Sequence, residues 1–189
     1  MVMIGYAFCG SFCTLEQSCK QLEALHALGY DIQPIMSETV FSTDTRFGSA
    51  ESWRERIVSL CSRPIIHTIP EAEPLGPQKP LDLLIIAPCT GNTLAKLAVG
   101  ITDSAVCMAA KAHLRTDRPL IIALASNDAM SANLKNIGTM LTRKSVYFVP
   151  MQQDDPSRKP HSLVADFTLL LPTLDALNSG KQIRPLFTI

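Results

Sequence analysis

No stretch of this sequence reaches the roughly eighteen uncharged apolar residues that would carry a helix across a bilayer, so no membrane role is expected. Neither sign of charge is in excess, with 17 Lys and Arg against 17 Asp and Glu, and the basic surplus of a nucleic-acid binder is missing. The six cysteines, Cys9, Cys13, Cys19, Cys61, Cys89 and Cys107, form no CxxC pair and no zinc-type spacing, and no metal site is expected. The apolar start, Met1 to Phe8, lacks the basic flank and cleavage site of an export signal and reads as a first strand. Thiols in such a chain are expected to stay reduced, in a cytoplasm.

What is present is apolar. Hydrophobic residues make up 47% of the 189 positions and charged ones only 18%. That length suffices for one domain, residues 1–189, with a sizeable core. The low charge leads us to expect that part of the surface is buried against other subunits.

A continuous apolar run over 2–8 predicts a strand covered on both faces, and further strands are expected over 32–36, 81–87, 119–125 and 146–149. Between them run helical patterns. Thr14 with Gln17 suggests a capping box for a helix carrying Leu15, Cys19, Leu22 and Leu25 on one face, stopped by Gly29. Further helices are expected over 52–61 and 93–99, from a cap at Asp103 through Lys111, along Met130, Leu134, Ile137 and Leu141, and from Pro172 to Asn178. Pro70, Pro74, Pro77 and Pro80 predict a loop. Strands alternating with helices predict a doubly wound α/β domain with a parallel sheet.

In such sheets ligands sit outside the carboxyl ends of the strands. Loops leave three of those ends as Gly10-Ser11-Phe12-Cys13-Thr14, Ser37-Glu38-Thr39 and Cys89-Thr90-Gly91-Asn92-Thr93. All carry hydroxyls. Hydroxyls and free N–H groups beside a helix start can cradle a phosphate, each charge-assisted bond contributing about 1.5–3 kcal/mol. The same residues are what ordinary helix caps use; their convergence on one edge is what favours a ligand. Gly5 and Gly10 are not followed by the glycines of a dinucleotide fingerprint, Glu38 alone is a weak imitation of its ribose-binding acid, and no lysine-bearing phosphate loop occurs. A mononucleotide such as FMN suits the pattern better than NAD or ATP.

GSF after the first strand, Ser37 after the second, APCTGNTLAKLAVGITDSAV after the third and ASNDAMSANLKNIGTML after the fourth resemble the flavoprotein superfamily of homo-oligomeric cysteine decarboxylases and flavin prenyltransferases. The tail, NLKNIGTMLTRKSVYFVPMQQDDPSRKPHSLVADF, is similar to its spore-specific, two-subunit branch. The resemblance implies a flavodoxin-like three-layer α/β/α sandwich with a central parallel sheet, trimers as the building block, and FMN near a subunit interface. By position it assigns Gly10, Ser11 and Phe12 to the first flavin loop and Ser37 to the phosphate. Cys89, Thr90, Gly91 and Asn92 then follow the ribityl chain and ring, and Ala125, Ser126 and Asn127 fall near the isoalloxazine.

Departures from the pattern bear on activity. Where the decarboxylases carry a histidine after the first loop, this chain reads Cys13-Thr14-Leu15-Glu16, and where they carry Ala-Met-Asn it reads Ser126-Asn127-Asp128. The tyrosine of the prenyltransferases is replaced within Gln153-Asp154-Asp155. No catalytic residue is assigned. The branch implies oxidation of a dihydropyridine dicarboxylate alongside an NADP-carrying A subunit, in the mother cell of a sporulating bacterium. Arg158 and Lys159, after the fifth strand, are the candidates for the substrate's carboxylates, or else belong to a solvated basic loop. Two alternatives stay open: a non-catalytic FMN-binding or scaffold subunit, and a flavin-dependent decarboxylase.

Overall fold

The computed structural model describes residues 2–78 and 80–188; Met1, Lys79 and Ile189 lie outside them. Its frame is a parallel ladder. β1 (Met3–Phe8) runs between β2 (Asp31–Met36) and β3 (Leu83–Thr90), and β3 pairs with β4 (Leu120–Ser126). The first half of the outer edge of β4 pairs in parallel with β5 (Val146–Phe148). β6 (Met151–Gln152) and β7 (Leu163–Ala165) then form a short antiparallel pair, and β7 pairs antiparallel with the second half of β4. β8 (Phe187–Thr188) closes the outer edge against β6.

Successive side chains of a strand point to opposite faces, and here both faces are covered. Ile4, Tyr6, Phe8 and Ile85 face one core layer, with Leu15, Cys19, Leu22 and Leu25 of α1 (Leu15–Ala27). α2 (Glu38–Ser42) follows β2, and α3 (Ala50–Cys61) adds Trp53 and Ile57 to the same layer. Ala7, Leu84, Ile86 and Ile122 face the other, with residues of α4 (Ile69–Ala72), α5 (Gly91–Val99), α6 (Ala105–Leu114) and α7 (Leu134–Leu141). α8 (Leu170–Leu177) returns to the first layer through Leu170 and Leu174. The three-layer α/β sandwich is thus present, and double coverage is why β1, β3 and β4 are almost wholly apolar. Its sheet is mixed rather than wholly parallel, because β7 runs against β4.

Several local expectations are corrected. Thr14 does not cap α1: at φ −109°, ψ 0° it already lies in a helical conformation, and its hydroxyl donates backward to the carbonyl of Ser11 at 2.9 Å. A capping side chain needs an extended backbone to reach forward. Ser104, not Asp103, caps α6: it is extended and accepts from the N–H of Cys107 at 3.2 Å, while Asp103 pairs with Lys96 at 2.9 Å. α7 starts at Leu134, because residues 127–133 turn back over the sheet edge. α8 starts at Leu170, ahead of Pro172. Within the proline-rich segment a capping box does form, between Thr68 and Glu71, and starts α4 with Pro70 in its first turn.

One buried hydroxyl network ties α1 to the sheet. The Tyr6 hydroxyl lies 3.0 Å from both the carbonyl oxygen and Oγ of Ser18, and Ser18 Oγ donates to the carbonyl of Ala87 on β3. Burial pushes the Tyr6 phenol far above its ordinary range, so it stays protonated. Ser18→Ala leaves the Ala87 carbonyl without this donor inside the core. We expect it to cost about 1–3 kcal/mol, read as a lower urea midpoint with an unchanged slope.

Candidate functional site

The β3–β4 ladder ends in an irregularity that builds the site. Its register shifts between Ile86 and Cys89, then resumes with Cys89 opposite Leu124 and Thr90 opposite Ala125. Two loops therefore leave the sheet side by side. Thr90, with extended backbone, caps α5: its Oγ1 accepts from the N–H of Thr93 at 3.2 Å and donates to Thr93 Oγ1 at 3.0 Å. The N–H groups of Gly91 and Asn92 open the helix and have no intrahelical acceptor. On the β1 side, Ser11 Oγ accepts from the hydroxyl of Thr14 at 3.0 Å.

These loops enclose a cleft of about 690 Å³. That is within the roughly 300–1,000 Å³ typical of cofactor sites. Of the residues expected from sequence, Gly10, Ser11, Phe12, Thr90, Gly91, Asn92, Ala125, Ser126 and Asn127 line it. Ser37 is not among the lining residues; it caps α2, accepting from the N–H of Val40 at 3.4 Å. Cys89 is wholly buried in the core behind Thr90. Lys159 borders the cleft, whereas Arg158 is exposed and does not, its N–H donating to Asp155 Oδ1 at 3.0 Å. A second cavity, of about 590 Å³, opens beside Met3, Arg63 and Leu81 near the amino ends of β1 and β3. It is far from the loops that carry hydroxyls, so the site is assigned to the first.

Further contributors to the cleft wall escaped the sequence: Asp128, the pairing of Asp154 with Lys159, and the Arg46–Phe47 dipeptide. Asp154 accepts from Lys159 Nζ at 2.5 Å, and this contact holds the Asp154 carboxyl below its usual range and the Lys159 ammonium above its own. Asp128 accepts from Ser126 Oγ and, through both oxygens, from Asn133 Nδ2 at 2.9 Å. Asn136 Nδ2 donates in turn to Asn133 Oδ1 at 2.8 Å, and Asn133 and Asn136 are buried. The Ser126 hydroxyl, chiefly, and then Asn133 hold Asp128 below the ordinary carboxylate range. Both oxygens of the carboxylate accept from the loop, which makes Asp128 a fixture of loop geometry.

Gly91 completes that fixture. A Cβ there would stand 2.3 Å from Ser126 Oγ, 2.7 Å from Asn133 Nδ2 and 2.8 Å from Asp128 Oδ1. The position after the α5 cap must therefore lack a side chain for the fourth-strand loop to close against it.

The cleft thus lies at the strand ends of a three-layer α/β sandwich, and the chain belongs to the flavoprotein family, whose model matches residues 2–166. The B subunit of dipicolinate synthase from Bacillus subtilis is 42% identical over 183 residues, which take in 97% of this chain and 92% of that protein. The crystal structure of the dipicolinate synthase B subunit from Bacillus halodurans superposes with a TM-score of 0.91 at 39% identity, covering 100% of this chain and 96% of that one. A dodecameric FMN-dependent decarboxylase from Escherichia coli shares the fold, with a TM-score of 0.69 at 19% identity over 97% of this chain and 96% of its own.

Two outcomes follow from the Asp128 network. Gly91→Ala should lower stability by about 1–3 kcal/mol, because the intruding methyl separates the hydrogen-bonded groups of the loop; a thermal melt checks it. The folded-state pKa of Asp128 is depressed, so its contribution is present above the ordinary carboxylate value, about 3.9, and is lost as pH falls through the lower folded value. The stability difference between the wild type and Asp128→Asn should be flat from about pH 8 to 5 and shrink below about pH 4.

Proposed function

We propose that this chain is the flavin-binding B subunit of a dipicolinate synthase, forming pyridine-2,6-dicarboxylate from its dihydro precursor with an NADP-binding A subunit, in the cytoplasm of a sporulating cell. The observation that carries the reading is the hydroxyl-lined cleft beside the start of α5, on which the family-matching segments converge. The similarity to the two B subunits supports the assignment.

The residues present fit FMN. Ser11, Thr90 and the N–H groups of Gly91 and Asn92 offer an uncharged cradle for its phosphate and ribityl oxygens, and Phe12 and Val164 offer apolar walls for its ring. Ser37, in the chain's second loop, is a candidate for the phosphate, and Ala125 to Asn127 for the ring edge. When bound, FMN supplies an electron acceptor. The chain's own part is positioning, since a dihydropyridine loses a hydride and a proton readily on the way to an aromatic ring. Lys159, with Arg158 beside it, stands as the late loop's candidate for one substrate carboxylate. An assembly built from trimers belongs to the same proposal.

A second reading, a non-catalytic subunit that completes the site of the NADP-binding one, is favoured by Cys13 and Thr14 where the decarboxylases carry a histidine. An independent flavin-dependent decarboxylase is disfavoured by the same residues.

Titrating the protein with FMN should quench flavin fluorescence with a Kd of about ten micromolar or tighter, and light scattering on the same sample should give a multiple of three chains. Addition of the NADP-binding partner should then yield pyridine-2,6-dicarboxylate. Absence of flavin binding in both the isolated chain and the complex overturns the flavin reading; binding without any dependence of turnover on flavin selects the scaffold.

A further inference from the structure

Arg46 and Phe47 stand exposed on the wall of the cleft. Phe47 is 42% exposed, and Arg46 is exposed too and makes no ion pair or hydrogen bond among the described residues. Its guanidinium lies over the Phe47 ring, 4.8 Å from the centroid. Both sit at the tip of a tight turn on the wall of the cleft, where the other cation, Lys159, is already neutralised by Asp154.

The turn is held rigidly. Thr45 and Gly48 exchange backbone hydrogen bonds of 3.0 and 3.1 Å, and Thr45 Oγ1 accepts from the N–H of Phe47 at 3.2 Å. Asp44 Oδ1 accepts from the N–H of Ala50 at 2.8 Å, fixing the turn to the start of α3. Gly48 has φ +142°, a conformation that favours glycine, and a Cβ there would stand 2.8 Å from Nε1 of the buried Trp53. A fixed turn that carries a fork of N–H donors without an acceptor, beside a partly exposed aromatic ring, is pre-organised for a flat anion: the fork matches a carboxylate in bidentate fashion, and the exposed part of the ring can pack against the plane that bears it.

We infer that Arg46 and Phe47 are the recognition pair for the substrate, Arg46 holding one ring carboxylate and Phe47 covering the ring. This rests on the proposed function, since it takes the substrate class from there, and it names the residues on this chain that hold that substrate.

The probe is pyridine-2,6-dicarboxylate, a stable planar dianion, titrated calorimetrically into the FMN-loaded full-length protein. Pyridine-2-carboxylate serves as the control that lacks one charge. Arg46→Gln should weaken dicarboxylate binding by about tenfold or more, the loss of a charge-assisted pair. Arg46→Lys should recover only part of it, because an ammonium lacks the fork. Phe47→Leu should weaken both ligands by a similar smaller factor. Dicarboxylate affinity that is the same in the wild type and Arg46→Gln overturns the inference and leaves the proposed function standing. So does an FMN affinity that falls in Arg46→Gln to that of riboflavin, which would make Arg46 the phosphate's partner instead. A changed oligomeric state in the variants overturns it in favour of a subunit contact. Binding of FMN without any binding of the dicarboxylate by the wild type overturns it too, and assigns the substrate's anchors to the NADP-binding partner.

Discussion

The register between β3 and β4 governs this molecule. Had the ladder continued in step past Ile86, Thr90 would not stand opposite Ala125. The shift changes which residues face each other where two loops leave the sheet, loops that the chain separates by more than thirty positions, and Gly91 lies against Ser126. The bare backbone at position 91 leaves room for the fourth-strand loop and its polar network to close against it. Irregularities of pairing recur next to functional sites because they re-aim the residues that follow. Here the residues that follow are the opening turn of α5 and the segment 126–128.

The fourth-strand loop also gives a physical sense to the chain's departures from its relatives' patterns. Ser126, Asp128 and Asn133 form one closed set of donors and acceptors, and the absent side chain at position 91 makes room for it. These positions are coupled. A half-buried carboxylate held through both oxygens favours one loop conformation, and removing one partner weakens the hold of the others. The loop is therefore built for shape.

Much of this was legible in the sequence, and the reasons are local. Tyr6, Phe8, Ile85 and Ile122 lie in apolar runs of strand length bounded by turn residues, and Ser11 and Thr90 stand where such strands hand over to helices. What escaped was set by tertiary contact. β7 is three residues long, and its antiparallel pairing depends on β4 leaving half an edge unclaimed after β5. Thr14 looked like a cap because its type and spacing were right, yet the turn over 12–14 had already given it a helical backbone. Arg46 and Phe47 lie between α2 and α3 in a segment without a motif, and nothing short of the fixed turn places them on the cleft wall.

The distribution of thiols has a practical side. Cys9, Cys19, Cys61, Cys89 and Cys107 are each no more than 8% exposed, and burial pushes the Cys9 thiol up to about 12. A thiol that is neither ionised nor reachable reacts slowly with electrophiles. Cys13 alone among the six is exposed, and it lies on the cleft wall beside Ser11. The natural chain therefore carries its own single attachment point for a maleimide dye or a fluorine label at the mouth of the site. Without any engineered cysteine, such a reporter would register whatever enters the cleft.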